Sequence, residues 1–331
     1  MKMPTADSAR PDRRTWLRLA GLATLSAGGL GGPAARAADA APEPKVWREL
    51  DQRELDRSFD LPAAVPNFRE VTRRWALNSD QARAALGPPR RLSYGPSAAE
   101  ALDWYPTAQP HAPVHVFIHG GAFNLEQAAH FGFIAEAFVR AGVHFVALDF
   151  ARARDVGGDV RVLLAQVRQA VAWVRRNAAG LGAEGGRLFV SGHSSGAELA
   201  ARVALTDWER DHRLPADTVK GTLCCSGVYD MAALRLAAAG RGFLLGPAVE
   251  EELSIVRQAG RLQSRLLLAH GSAETPAFRI GARDLAAELA RQGRDAALRV
   301  AEGYNHFEVV ETLANPYGVL GREMLHMILG A

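Results

Sequence analysis

Five residues, Gly192-His193-Ser194-Ser195-Gly196, place a serine between two glycines one residue after the apolar run Leu188-Phe189-Val190. This G-x-S-x-G spacing suits a tight strand-to-helix turn. The serine takes strained backbone angles at the tip, and the glycines let strand and helix pass closely. A serine hydroxyl attacks poorly until a base takes its proton, a third group holds that base, and N–H donors receive the oxyanion. The chain offers a candidate for each. His119-Gly120-Gly121-Ala122-Phe123 stands 75 residues before Ser194 and follows the apolar run ending at Ile118. With no Cβ on two successive residues, its backbone is open to a substrate oxygen; the expected donors are Gly120 or Gly121 together with the N–H of Ser195. The expected base is His306, in Gly303-Tyr304-Asn305-His306-Phe307 near the C-terminus. The expected acid is Glu274, which follows the strand next before that of the histidine. Asp230, in Ser226-Gly227-Val228-Tyr229-Asp230, also ends a strand and is the alternative acid.

The other histidines are expected to be structural. His119 opens a glycine loop and is expected to support it by hydrogen bonding, and His193 and His270 flank strand ends. His111, His115 and His119 recur every four residues, which on a helix would make a metal-binding face; Pro113 and the double glycine argue for strand and loop, so no metal site is expected. Asp149 closes a strand and is expected to form a turn. No cofactor is implied by any of these residues.

The elements that must carry these groups alternate in type. Short apolar runs at 113–118, 143–150, 188–190, 221–225, 266–269 and 297–300 are expected strands. Between them lie helical patterns, the clearest at 159–177, where Val160, Leu163, Leu164, Val167, Val171 and Val174 recur at three- and four-residue steps. Strands separated by helices in this rhythm specify a mainly parallel central sheet with helices on both faces, and function gathers at the carboxyl ends of the strands. Before the sheet, residues 42–86 carry amphipathic stretches such as Val46-Trp47-Arg48-Glu49-Leu50 and 68–75, expected as short helices wrapping the domain. Cys224 and Cys225 are adjacent in an expected strand. Their side chains must point to opposite faces, so they are expected to be small core residues without a disulfide.

A chain of 331 residues with 48% hydrophobic content can bury a large core. The net charge is +3, yet residues 1–37 alone carry six basic and two acidic side chains, which leaves about −1 for the rest. No body-wide attraction to phosphate follows, and a nucleic-acid partner is not expected. Within that segment Arg13-Arg14-Thr15-Trp16-Leu17 precedes a weakly apolar Gly- and Ala-rich stretch and then Ala35-Arg36-Ala37, an A-x-A cleavage pattern. This looks like a twin-arginine export signal, so the export machinery is an expected partner and the periplasm or the medium the expected location. The stretch is too short and glycine-rich for stable membrane insertion.

Taken together these residues resemble the α/β-hydrolase superfamily, and within it the arylformamidase (kynurenine formamidase)-like and carboxylesterase group. The resemblance is carried by Val65-Pro66-Asn67-Phe68 before Arg74-Trp75, by His119-Gly120-Gly121, by Gly192-His193-Ser194, by Ser226 to Asp230, by Glu274-Thr275-Pro276-Ala277-Phe278 and by Asn305-His306-Phe307. It implies an α/β-hydrolase fold, triad roles for Ser194, Glu274 and His306, and a small ester or amide substrate. Formamidase-like sequences usually have Tyr-Trp after His-Gly-Gly, where this chain has Ala122-Phe123, and alanine is common where it has Ser195. Ala122 and Phe123 are therefore expected to shape a different substrate pocket. The implied organisation is a signal peptide at 1–37, an N-terminal helical extension at 38–90 and a catalytic domain at 91–331, with 231–263 as lid or pocket wall. The implied activity is that of an exported serine hydrolase. Alternatives are an N-formylkynurenine-type arylformamidase proper, or a hydrolase fold used only for binding.

Overall fold

Each of the six expected strands forms, in parallel, and the computed structural model describes residues 43–330. The expected export signal at 1–37 lies outside the described residues. The strands are β5 (Ala112–Ile118), β6 (His144–Leu148), β7 (Ala183–His193), β8 (Gly221–Cys225), β9 (Arg265–Gly271) and β10 (Ala296–Ala301). Two antiparallel strands that the sequence reading did not anticipate, β3 (Arg90–Ser93) and β4 (Ala101–Tyr105), extend the sheet at the β6 edge, giving the order β10-β9-β8-β7-β5-β6-β4-β3. β4 is buried throughout although it contains Asp103. Arg91 on β3 supplies the partner at 2.9 Å, which keeps that carboxylate in place within the sheet.

The expected helix at 46–50 is instead a hairpin of β1 (Lys45–Trp47) and β2 (Leu50–Asp51). Five residues cannot support a helix nucleus in isolation. Here Arg48 turns through a left-handed φ of 51°, and the Trp47 indole N–H donates to Asp230 at 3.1 Å. Asp51 then opens α1 (Gln52–Phe59) with a reciprocal capping box to Glu54. After α2 (Leu61–Ala64), the amphipathic pattern beginning at Phe68 runs on as α3 (Phe68–Leu86), longer than the short helix expected there.

Helices cover both faces of the sheet. On one side α5 (Val160–Asn177), α6 (Ser195–Ala204) and α10 (Pro276–Arg291) bury Leu163, Val167, Leu199 and Leu285 with Val116, Val190 and Leu268 of the strands. On the other, α3, α4 (Ala135–Arg140) and α11 (Val319–Leu329) bury Val71, Trp75, Phe138 and Met324 with Phe117, Phe189 and Leu267. Alternation along β8 sends Cys224 into the first cluster and Cys225 into the second, and both thiols are free. The short helix α7 (Trp208–His212) follows α6. Residues 231–263 fold as α8 (Met231–Leu236), α9 (Pro247–Leu253) and 3-10 helices at Ala238–Gly242 and Ile255–Arg261. They reach the loop after β5, where the Phe243 ring meets that of Phe123 edge-on at 5.6 Å. Among the described residues no helix is long and apolar enough to cross a membrane.

Candidate active site

Parallel register brings the carboxyl ends of the strands to one edge: Ile118 lies beside Gly192, His193 beside Cys225 and Cys225 beside Ala269. The loops that leave this edge carry the chemistry. Ser194 sits between β7 and α6 with φ 57° and ψ −127°, a conformation that side-chain-bearing residues rarely adopt. Its N–H donates to the Cys225 carbonyl at 2.9 Å, which holds the turn. Both glycines are sterically required. A Cβ on Gly192 would stand 2.2 Å from the Gly196 carbonyl oxygen, and one on Gly196 would stand 2.2 Å from that of Ile118.

His306, 1% exposed, lies 3.0 Å from the Ser194 Oγ through Nε2 and 2.9 Å from Glu274 Oε2 through Nδ1. An ionised carboxylate only accepts, so Nδ1 carries the proton and donates to Glu274, leaving the Nε2 lone pair to accept from the serine hydroxyl. The other Glu274 oxygen accepts from the Gly271 N–H at 2.9 Å and from the Ser226 hydroxyl. Burial pushes the Glu274 carboxyl up, but the His306 imidazole, the Ser226 hydroxyl and the Gly271 N–H outweigh it and hold the group below the usual carboxylate range. The acid is therefore an anion at neutral pH, able to fix the tautomer of His306 and stabilise its charged form.

Asp230, the alternative acid, is occupied elsewhere. It caps α8 through the Ala232 N–H at 3.1 Å, accepts from Ser254 and from the Trp47 indole, and has Arg48 and Arg257 within 3.8 Å. Its carboxylate fastens the N-terminal hairpin and residues 254–257 to the sheet edge. A surface cavity of about 510 Å³ lies against Trp47, Arg48, Asp230 and Arg257, and its lining does not include Ser194, His306 or Glu274.

The loop after β5 lies against the serine turn, since a Cβ on Gly120 would stand 2.8 Å from the Ser194 Cβ. Among the described residues the N–H groups of Gly120, Gly121 and Ser195 donate to no loop or cap carbonyl. Gly120 and Ser195 thus stand beside the nucleophile with their N–H groups free of those partners. Ala122 is exposed, and Phe123 is buried against Phe243. His119 stacks on Phe150 at 4.5 Å, with Nδ1 at 2.9 Å from the Gly120 carbonyl oxygen, and His270 lies 3.0 Å from the Gly271 carbonyl oxygen in the same way. His115 sits inside β5 with Nε2 at 2.6 Å from the Ser191 hydroxyl. Asp149 does more than turn the chain. It accepts from the Ala128 N–H at 2.7 Å, pairs with Arg91 and faces His119 at 3.7 Å, and these partners overcome its burial and lower its pKa to about 2.

Two further residues support the relay: Ser226, to which the sequence reading gave no role of its own, and His193, which it expected to be structural. Ser226 holds the second oxygen of Glu274 from a left-handed φ of 61° at the end of β8. Burial, helped by the nearby His306, lowers the pKa of His193 to about 3 and keeps it neutral, and it donates Nε2–H to the His306 carbonyl at 2.8 Å. Neither carries a local signal, because each acts on a partner far away in sequence.

The chain is similar to known hydrolases in sequence and in fold. The BD-FAE family model matches residues 102–250. Kynurenine formamidase of Danio rerio is 25% identical over 299 residues, covering 85% of this chain and 98% of that protein. Esterase LipQ of Mycobacterium tuberculosis is 29% identical over 201 residues, covering 52% of this chain and 46% of that protein. Among solved structures, a Silicibacter protein described as a thioesterase superposes with a TM-score of 0.72 at 23% identity, covering 83% of this chain and 99% of that one. Esterase LipW of Mycobacterium marinum superposes with a TM-score of 0.60 at 23% identity, covering 80% and 87%. At these identities the structural likeness establishes the fold.

Proposed function

Since this chain is an α/β-hydrolase of the arylformamidase and esterase-like group, and so a hydrolase, we propose that it cleaves small carboxylic esters or aryl formamides through an acyl-enzyme on Ser194. His306 Nε2 takes the Ser194 proton as Oγ attacks the carbonyl carbon. The carbonyl oxygen gains negative charge and is met by the N–H groups of Gly120, Gly121 and Ser195. The carbon–oxygen or carbon–nitrogen bond then breaks as His306 returns the proton to the departing alcohol or amine. Water, deprotonated by the same imidazole, releases the acid and restores Ser194. Glu274 stays ionised throughout and balances the imidazolium.

The observation that carries this reading is the buried relay from Ser194 Oγ to His306 at 3.0 Å and on to Glu274 at 2.9 Å. Its test is a fluorophosphonate probe followed by intact-mass and peptide analysis. One adduct on Ser194, abolished by Ser194→Ala, is expected; a protein that hydrolyses esters yet carries no adduct there rules the mechanism out. The Danio rerio formamidase, matched over nearly its whole length, favours a formamidase as second reading. Rates on N-formylkynurenine against p-nitrophenyl esters of increasing acyl length separate the two. The twin-arginine pattern at Arg13-Arg14 supports export as part of the proposal, with action on substrates outside the cytoplasm.

A further inference from the structure

Three consecutive residues after β5, Gly121, Ala122 and Phe123, have φ of +93°, +50° and +61°. Glycine takes this region freely, whereas the other two hold it against crowding of Cβ and carbonyl oxygen. A loop of that shape keeps its form only if it is fastened. Asn124 and Leu125 donate to the Gly121 carbonyl at 2.9 Å, closing the turn on itself. Ala153 donates to the Phe123 carbonyl at 2.9 Å, and Asn124 Oδ1 accepts from the Arg154 N–H at 2.9 Å, tying the far side to residues 153–154. Toward the nucleophile, the Phe123 N–H donates to the Ser195 hydroxyl at 3.1 Å, and the pair is buried.

That bond joins the two halves of the oxyanion pocket. Gly120 and Gly121 belong to the loop, and the third N–H belongs to Ser195 itself. We propose that the Ser195 hydroxyl is a positioning residue: by accepting the Phe123 N–H it locks the 120–123 loop onto the serine turn, so that all three donors meet one oxygen. The inference rests on the acyl-transfer reading above. The groups being aligned act when charge develops on the carbonyl oxygen, so the hydroxyl belongs to kcat and not to substrate binding.

Ser195→Ala tests this, because alanine suits the first turn of a helix and the variant keeps its fold. Its kcat is expected to fall about tenfold, with KM within about twofold of the parent, a loss smaller than deletion of a donor itself. Affinity for an aryl trifluoromethyl ketone, which adds to a serine as a tetrahedral oxyanion, is expected to weaken by the same factor. A variant that keeps both kcat and ketone affinity within twofold overturns the proposal. So does one that loses melting temperature while ketone affinity holds, since the hydroxyl is then structural only. Ser194→Ala in parallel separates the two levels. If it still turns substrate over, the acyl-transfer reading and this inference fall together; if it is inactive while Ser195→Ala is unaltered, only the positioning role falls.

Discussion

At the residue scale the choice between two carboxylates depends on what else each one holds. Both lie in a loop that follows a strand and both precede His306, yet Glu274 turns one oxygen to the imidazole while Asp230 spends both of its oxygens on Ala232, Ser254 and Trp47. Glu274→Gln is therefore expected to lower kcat by a factor on the order of 10³ to 10⁴, through loss of the correct tautomer and of charge balance. Asp230→Asn is expected to change kcat by less than about threefold and to act on stability by loosening the hairpin. Steady-state kinetics on one ester checks both, and the opposite ranking would remove Glu274 from the mechanism. The Ser226 hydroxyl belongs in the same network. It occupies the Glu274 oxygen that His306 leaves free, so the carboxylate has no reason to rotate away.

At the element scale, β5 and β7 hold a pH-sensitive pair beneath the site. His115 is fully buried, and burial lowers its pKa to about 3, so it stays neutral beside Ser191. An unfolded histidine titrates near 6.5, so below that value the unfolded chain binds a proton that the folded one refuses. Stability from this group is complete above about 6.5 and is lost as pH falls from there toward 3. His193, also neutral and buried, adds a loss of the same sign. The urea midpoint is expected to drop between pH 7.5 and 5, with a shallower drop for His115→Asn; equal slopes would show that this histidine does not contribute. The glycines of the serine turn act on the same strands. They let α6 lie against β5 closely enough for Ser195 and the 119–123 loop to touch.

At the scale of the whole molecule, the proposed export predicts that Arg13→Lys with Arg14→Lys retains the precursor in the cytoplasm, as fractionation and immunoblotting would record; unchanged secretion would refute the twin-arginine route. The N-terminal region at 43–86 is part of the folded body, because Trp75 on α3 packs against His193 at 6.1 Å and Phe307 at 6.0 Å, beneath the catalytic loop. Its helical periodicity from Phe68 was legible, but β1 and β2 were not, since their conformation depends on Trp47 finding Asp230 across 183 residues. β3 and β4 were missed for a like reason: Asp103 disguises a buried strand until Arg91 is seen beside it. By contrast the parallel strands, helix α5 and the positions of Ser194, Gly120, Gly121 and His306 followed from period, glycine spacing and chain order, which are local or ordinal properties of a sequence. Chain order also pointed to Glu274 as the acid, whereas what occupies Asp230 and what Ser226 and His193 hold were decided only by the tertiary structure. Each of these is a contact between distant segments, and a hydrogen bond of about 3 Å exists only once the sheet has fixed both partners.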